Sequence, residues 1–124
     1  MDSAVPRDHF RASLLLVLGQ APVHGYDLPA LLAPLGLGGI DRGFLYRSLR
    51  LMEADDLVSS EWDASPAGPA RRIYRVTPLG RAWMAVAADS LRDADRLMAS
   101  WLTRYRRLLR AGGPRAVPGV SAAS

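Results

Sequence analysis

Residues 41–62 read DRGFLYRSLRLMEADDLVSSEW, and the spacing of their apolar side chains predicts a helix with two different sides. Leu45, Leu49 and Met52 recur at intervals of four and three residues, which predicts one buried side for a helix over residues 42–54. The opposite side collects basic, small and aromatic residues, namely Arg42, Gly43, Tyr46, Arg47 and Arg50. We therefore expect one side of this helix in a core and the other side on the surface.

A change of period after this helix predicts a hairpin. Residues 57–62 (LVSSEW) and 71–77 (RRIYRVT) alternate as strands do, and residues 63–70 supply the prolines and glycine of a turn. The Thr-Pro pair at 77–78 then provides an N-cap and a first-turn proline. Because no helix breaker follows, we expect a helix over residues 79–110, about 48 Å long at about 1.5 Å per residue.

The chain before residue 41 predicts two further helices. A first helix over residues 7–19 turns inward the apolar side chains Phe10, Leu14, Val17 and Leu18. A second, shorter helix begins near residue 25 and turns inward Tyr26, Leu28, Leu31 and Leu32. Asp41 is a suitable N-cap for the helix that follows. Residues 1–8 and 111–124 lack periodicity, and we expect them to be flexible.

Composition is typical of a small globular protein. The chain has 124 residues, 49% of them hydrophobic and 23% charged, which suits one domain. No apolar run approaches the ~20 residues that cross a bilayer, and no secretion signal is visible, so we expect a cytoplasmic protein without a membrane partner. Cysteine is absent and the only histidines are His9 and His24, so we expect no metal and no other cofactor.

Charge is distributed unevenly along the chain. Residues 1–70 hold five arginines and nine acidic residues, a net charge of −4, whereas residues 71–124 hold eleven arginines and three acidic residues, a net charge of +8. Lysine is absent, and the planar arginine guanidinium binds phosphates and base edges through paired hydrogen bonds. The bias fits nucleic-acid binding, and it fits equally well the codon usage of a GC-rich genome.

The order of the predicted elements indicates a mainly α (α+β) fold. Three helices, a two-stranded wing and a long C-terminal helix describe a winged helix-turn-helix, which we place at residues 9–78, followed by a dimerisation helix at residues 79–110. In such a module the third helix enters the major groove and the wing lies along the DNA backbone or minor groove. Arg71 and Arg72 would then neutralise phosphates from the wing.

Five segments, in their order and spacing, resemble the short form of the PadR family of transcriptional regulators, with a single C-terminal helix. They are residues 14–18 (LLLVL), 24–28 (HGYDL), 43–49 (GFLYRSL), Glu53 with 57–58 (LV), and 72–81 (RIYRVTPLGR). The resemblance implies a homodimeric DNA-binding repressor whose last helix forms the dimer. It also implies that Tyr46 and Arg47 contact DNA.

Three features depart from the family pattern. Phe44 replaces a small hydroxyl residue, which removes a phosphate-binding hydroxyl or adds an apolar contact to a thymine methyl group. Asp56 replaces a glycine at the turn from helix to strand, where aspartate tolerates the left-handed conformation less well than glycine. Pro29 and Pro34 interrupt a second helix that is commonly longer in the family.

The candidate DNA-contacting residues lie on the third helix and on the wing. They are Arg42, Gly43, Phe44, Tyr46, Arg47, Arg50, Arg71 and Arg72. Two of them have other interpretations. Tyr46 could be a half-buried packing residue, and Arg50 could pair with Glu53 in a surface interaction that contributes little stability.

The apolar side of the last helix is too long for the preceding domain to cover. Monomers rarely expose so large an apolar surface, and dimerisation through this helix, helped by the first helix, would bury it. We expect the interface to contain Phe10, Leu14, Leu91, Leu97, Met98, Trp101, Leu102, Tyr105 and Leu108. Two copies related by a two-fold axis would present their third helices to palindromic half-sites about 34 Å apart.

Aromatic and methionine side chains on the last helix indicate a second candidate site. Trp83, Met84, Met98 and Trp101 could enclose a planar or aromatic small-molecule effector at the dimer interface, as some PadR-like regulators do. Trp83 could instead belong to the core of its own domain, and Trp101 could serve interface packing alone.

Catalytic motifs are absent from the sequence. There is no nucleophile elbow, Walker loop, zinc-protease helix or dinucleotide fingerprint, so we expect no enzyme and no catalytic residue. The sequence predicts a transcriptional regulator, most simply an effector-controlled repressor. Two alternatives stay open: a dimeric interaction module that has lost DNA binding, favoured by the acidic first half and Phe44, and a membrane-surface role for residues 79–110.

Overall fold

The structure is a computed structural model that describes residues 9–63 and 71–112. These residues form seven α-helices and β-strands. In chain order they are α1 (His9–Gln20), β1 (Val23–His24), α2 (Leu28–Leu32), α3 (Arg42–Ala54), β2 (Val58–Asp63), β3 (Arg71–Val76) and α4 (Pro78–Arg110). The expected flexible start, the hairpin turn over residues 64–70 and the tail after residue 112 lie outside the described residues.

The element order confirms the predicted fold class. Three helices precede a hairpin, here called the wing (β2 and β3), and α4 follows it. The chain divides into two units, residues 1–90 and 91–124, so that the division falls within α4. Over the described residues, no helix combines the length and the apolar character needed to cross a membrane.

The core of the first unit is built from all three short helices and the wing. Its fully buried large side chains are Leu14, Leu15, Leu28, Leu32, Leu45, Leu49, Met52 and Val58. Helix α1 lies at the centre of this core, because six of its residues, from Ala12 to Leu18, are buried. The expectation that Leu14 lines a dimer interface is therefore wrong, since its side chain is wholly enclosed by its own subunit.

The second helix is shorter than the sequence predicts. Its five α-helical residues are flanked by 3₁₀ turns at Gly25–Asp27 and Ala33–Leu35. Pro34 lacks the amide hydrogen that would continue the α-helical pattern, and Gly36 ends the segment at φ 85°. Tyr26 lies in the first of these turns, before α2, and it is 66% exposed. Leu31 is 46% exposed, so both side chains point outward, contrary to expectation.

The sheet has three strands rather than the predicted two. Its order is β1-β3-β2, with both pairings antiparallel. The wing pairs as expected, from Val58 opposite Val76 to Asp63 opposite Arg71. The extra strand β1 has only two residues, and it places His24 beside Ile73 on the other edge of β3. The wing is thus attached to the segment that precedes α2.

Thr77 joins the end of α3 to the start of α4. Its amide donates to the carbonyl oxygen of Leu57 (3.1 Å), and its hydroxyl donates to the carbonyl oxygen of Asp56 (2.6 Å). The same hydroxyl accepts a hydrogen bond from the amide of Gly80 (2.9 Å), which confirms the predicted N-cap. These bonds join the two helices through neighbouring backbone groups.

The turn between α3 and β2 places Asp56 in the left-handed region, at φ 61°. Glycine has no Cβ to strain there, whereas alanine has one and lacks the polar side chain that helps aspartate. We expect D56G to exceed D56A in free energy of unfolding by about 1 kcal/mol, with the parent protein between them. Urea denaturation measures this order, and a D56A protein as stable as D56G would contradict it.

Candidate nucleic-acid interface

The outer face of α3 is the centre of the candidate interface. The helix starts at Asp41, whose carboxylate accepts a hydrogen bond from the Phe44 amide (2.9 Å), as an N-cap does. With the inner side chains of α3 buried, Arg47 and Arg50 are left exposed on the surface. The predicted two-sided helix is confirmed, and the predicted basic side is open to solvent.

Tyr46 lies between the core and this surface. It is half-buried and packs against the core cluster. Its ring lies so close to Gly25 that a Cβ there would be 3.1 Å from Cε1 of Tyr46 and 3.1 Å from Cε2 of Tyr74. Tyr46 therefore has the half-buried packing position that was the alternative to a DNA contact, and part of its side chain remains exposed.

Tyr26 extends the basic surface beyond α3. The guanidinium of Arg42 lies over its ring, 4.7 Å from the centroid, and donates to its carbonyl oxygen at 3.5 Å. Tyr26 is not among the predicted interface residues, because its spacing from Leu28 predicts a place on the buried side of one continuous helix. The signal available was Pro29, because proline is tolerated in the first turn of a helix, which places Tyr26 before the start of α2.

Gly43 and Phe44 occupy the first turn of α3. A Cβ on Gly43 would lie 3.1 Å from both the Arg47 guanidinium and the Asp41 carboxylate, so the turn is closely filled. Phe44 is 45% exposed, and its ring contacts that of Phe10 with centroids 5.0 Å apart. Phe10 is itself half-buried against the core. An apolar surface therefore adjoins the basic face.

The two wing arginines have different surroundings. Arg71 is exposed, whereas Arg72 is half-buried. Arg72 donates to the Ser60 hydroxyl (2.8 Å), and its guanidinium lies over the Trp62 ring, 4.5 Å from the centroid. The structure thus brings Arg71 to solvent and holds Arg72 against the sheet.

Buried and exposed sides alternate along β3. Tyr74 is buried, and this burial raises the pKa of its phenol above the ordinary value. On the other side, Arg75 pairs with Glu61 (3.2 Å), and the His24 ring lies 3.0 Å from the Asp63 carboxylate. Among the described residues no three His, Cys, Asp or Glu side chains are grouped to hold a metal ion.

The candidate residues of α4 are divided between the two units. In the first unit, Trp83 and Met84 are half-buried against the core, so Trp83 has the core position that the sequence left open. In the second unit, Leu91 is half-exposed. The other predicted interface residues of this unit are exposed, namely Leu97, Met98, Trp101, Leu102, Tyr105 and Leu108.

A shallow groove lies on the second unit. It has a volume of about 320 Å³ and is lined by Trp101, Arg104, Tyr105 and Leu108. The Trp101 and Tyr105 rings are stacked, 5.4 Å apart and inclined by 14°. Of the four expected effector residues, only Trp101 lines this groove.

A helix-turn-helix with an attached wing and a basic face on its third helix defines the winged-helix class of transcriptional regulators. Residues 14–86 match the family model for the transcriptional regulator PadR-like family, and this chain belongs to that family. No curated protein matches the chain.

Solved structures agree with this assignment. One described as a conserved protein of unknown function and a potential transcriptional factor is 32% identical, covering 89% of this chain and 99% of that chain (TM-score 0.73). A PadR-like regulator from Bacillus cereus is 25% identical, covering 75% and 90% (0.67). A PadR family regulator from Eggerthella lenta is 28% identical, covering 76% and 84% (0.62).

Proposed function

We propose that this chain is a sequence-specific DNA-binding repressor that acts as a homodimer on a palindromic operator. The outer face of α3 carries the proposal, since Arg47 and Arg50 are exposed opposite a fully buried side. Arginine bound to guanine in the major groove is the commonest specific contact in protein–DNA complexes. The proposal includes a cytoplasmic location, where the regulator would meet its operator.

Other residues extend the proposed contact surface around α3. Arg42 is the first residue of the helix, and the exposed Arg71 lies on the wing, where it would neutralise a backbone phosphate. Tyr46 is half-exposed on α3 and would donate its hydroxyl to a phosphate or a base edge. Phosphate contacts of this kind set orientation, and base contacts set sequence preference.

The second part of the proposal is the homodimer. The exposed side chains of α4 in the second unit include Leu97, Trp101 and Leu102. A second copy would bury this apolar surface by a two-fold contact of the same residues. Such a dimer would direct two copies of α3 at half-sites about 34 Å apart.

The third part is control by a planar or aromatic effector. The stacked Trp101 and Tyr105 rings offer flat apolar faces, and Arg104 adds a positive charge at the same groove. A ligand bound there would change the dimer contact and so shift the spacing of the two α3 helices. Interface packing without a ligand would use the same rings, and a ligand-binding assay with W101A separates the two.

DNA contact is tested by replacing Arg47 and Arg50 singly with alanine. If each makes a base contact, affinity for the protein's own upstream region should fall about tenfold or more, because such contacts are worth about 1–3 kcal/mol. With about six phosphates neutralised per parent dimer, log affinity should fall with log salt at a slope near −5. Fluorescence anisotropy over a salt series measures both quantities.

The matched control is R75A. It removes the same charge from β3, but Arg75 is paired with Glu61 and alternates with the buried Tyr74. This variant should keep the parent affinity. If R47A and R50A bind the upstream region as tightly as the parent, α3 is not the reading helix. If the parent itself does not bind this region selectively, the interaction module without DNA binding becomes the better description.

A further inference from the structure

Four side chains connect the last turn of α3 to both strands of the wing. The Ser60 hydroxyl lies 2.9 Å from each carboxylate oxygen of Glu53, to which it donates, and it accepts a hydrogen bond from Arg72 at 2.8 Å. The Arg72 guanidinium then covers the Trp62 ring. We call Glu53, Ser60, Trp62 and Arg72 the brace.

Strand register explains why these side chains meet. Ser60 is paired with Tyr74, and Trp62 is paired with Arg72. Residues opposite one another in an antiparallel pair share a face, and so do alternate residues of a strand. Ser60, Trp62 and Arg72 therefore lie on the face of the sheet that carries the buried Tyr74, and Glu53 contacts that face from α3. Arg71 is on the other face, opposite Asp63.

The two charged residues of the brace, Arg72 and Glu53, both act on the phenol of Tyr74. Burial raises the pKa of the Tyr74 phenol, Arg72 lowers it by a smaller amount, and Glu53 adds to the rise. The positive and negative charges of the brace therefore both act on the buried Tyr74. A guanidinium that bonds a hydroxyl and stacks on an indole is held in one orientation.

We propose that the brace fixes the wing against α3, and that Arg72 is a positioning residue of the DNA interface rather than a phosphate contact. This rests on the proposed function, and it replaces the expectation that Arg71 and Arg72 act alike. Arg71 alone then supplies the phosphate contact of this strand. Arg72 acts through Ser60 and Glu53 on the angle between the wing and α3.

The salt dependence of DNA binding separates the two roles. A lost phosphate contact lowers the steepness of log affinity against log salt by about 1 per contact, or about 2 per dimer. R71A should show this change. R72A should weaken binding about tenfold, the cost of losing one charge-assisted hydrogen bond, with the parent slope. An R72A slope lowered as much as that of R71A would overturn the proposal.

Two milder variants keep the test informative if R72A folds poorly. S60A removes the shared hydroxyl without changing charge, and it should reproduce the loss of affinity at an unchanged slope. R72K keeps the charge but not the planar group, so it should bind about as weakly as R72A. An R72K protein with the parent affinity would show that charge alone matters, which contradicts the brace.

A measurement without DNA separates failure of the brace from failure of the proposed function. Amide hydrogen exchange of β2 and β3 in the free protein should be about tenfold faster in S60A and R72A than in the parent, and unchanged in R71A. If S60A exchanges like the parent, the brace is refuted whatever the protein binds. If the parent binds no DNA but exchange rises in S60A, the brace stands and the proposed function fails.

Discussion

Replacing Trp101 with aspartate is expected to separate the proposed dimer while leaving the first unit folded. Trp101 is 63% exposed in the single chain, and its stacking partner Tyr105 is exposed as well. A carboxylate on this surface would have to be desolvated in the two-fold contact, where the same charge from the partner faces it. We expect at least about a 100-fold weaker dimer, the effect of losing a central aromatic contact. Sedimentation velocity measures the change.

The control for this variant is T103D, two residues further along α4. Positions two apart on a helix point in nearly opposite directions, so this aspartate adds the same charge away from the apolar side. T103D should remain a dimer with the parent affinity for the operator, whereas W101D should lose operator affinity with dimerisation. A W101D protein that still sediments as a dimer would show that copies associate through another surface.

Replacing Gly80 with alanine is expected to destabilise the first unit severely. Gly80 is buried in the first turn of α4, and a Cβ there would overlap the Leu57 carbonyl oxygen and lie 2.8 Å from Cγ2 of Val76. The oxygen belongs to the backbone and is already bonded to Thr77, so it cannot move without breaking that bond. We expect a loss of about 3 kcal/mol in the free energy of unfolding.

Gly39 provides the comparison for Gly80. A Cβ at this exposed position would meet no atom within 4 Å, so G39A should stay within about 0.5 kcal/mol of the parent protein. Urea denaturation of both variants measures the difference. Equal stabilities would mean that α4 can start further from the Leu57 carbonyl than the structure shows.

Much of this architecture follows from side-chain periodicity, which reports a local property of the chain. Leu45, Leu49 and Met52 predicted the buried side of α3, and alternation predicted the wing. Strand β1 escaped prediction because two residues carry no measurable period, and their pairing depends on β3, about fifty residues away. The enclosure of Leu14 also depends on what surrounds α1 in space.

The candidate site was predictable to a similar extent. The exposed arginines of α3 follow from its period, since they lie opposite the apolar positions. The difference between Arg71 and Arg72 does not, because it depends on register across the wing and on Ser60 and Trp62. The residues that surround an arginine in the fold decide whether it is free to contact DNA. The residues next to it in the sequence do not show this.

The bonds made by Thr77 have a mechanical consequence. Its amide and hydroxyl bind the carbonyls of Leu57 and Asp56, directly after α3, while the first turn of α4 is capped by the same hydroxyl. A rotation of that turn must therefore either break these bonds or carry the end of α3 with it. Under the proposed function, small angular changes at the base of α4 would then alter the pitch at which α3 meets the DNA duplex.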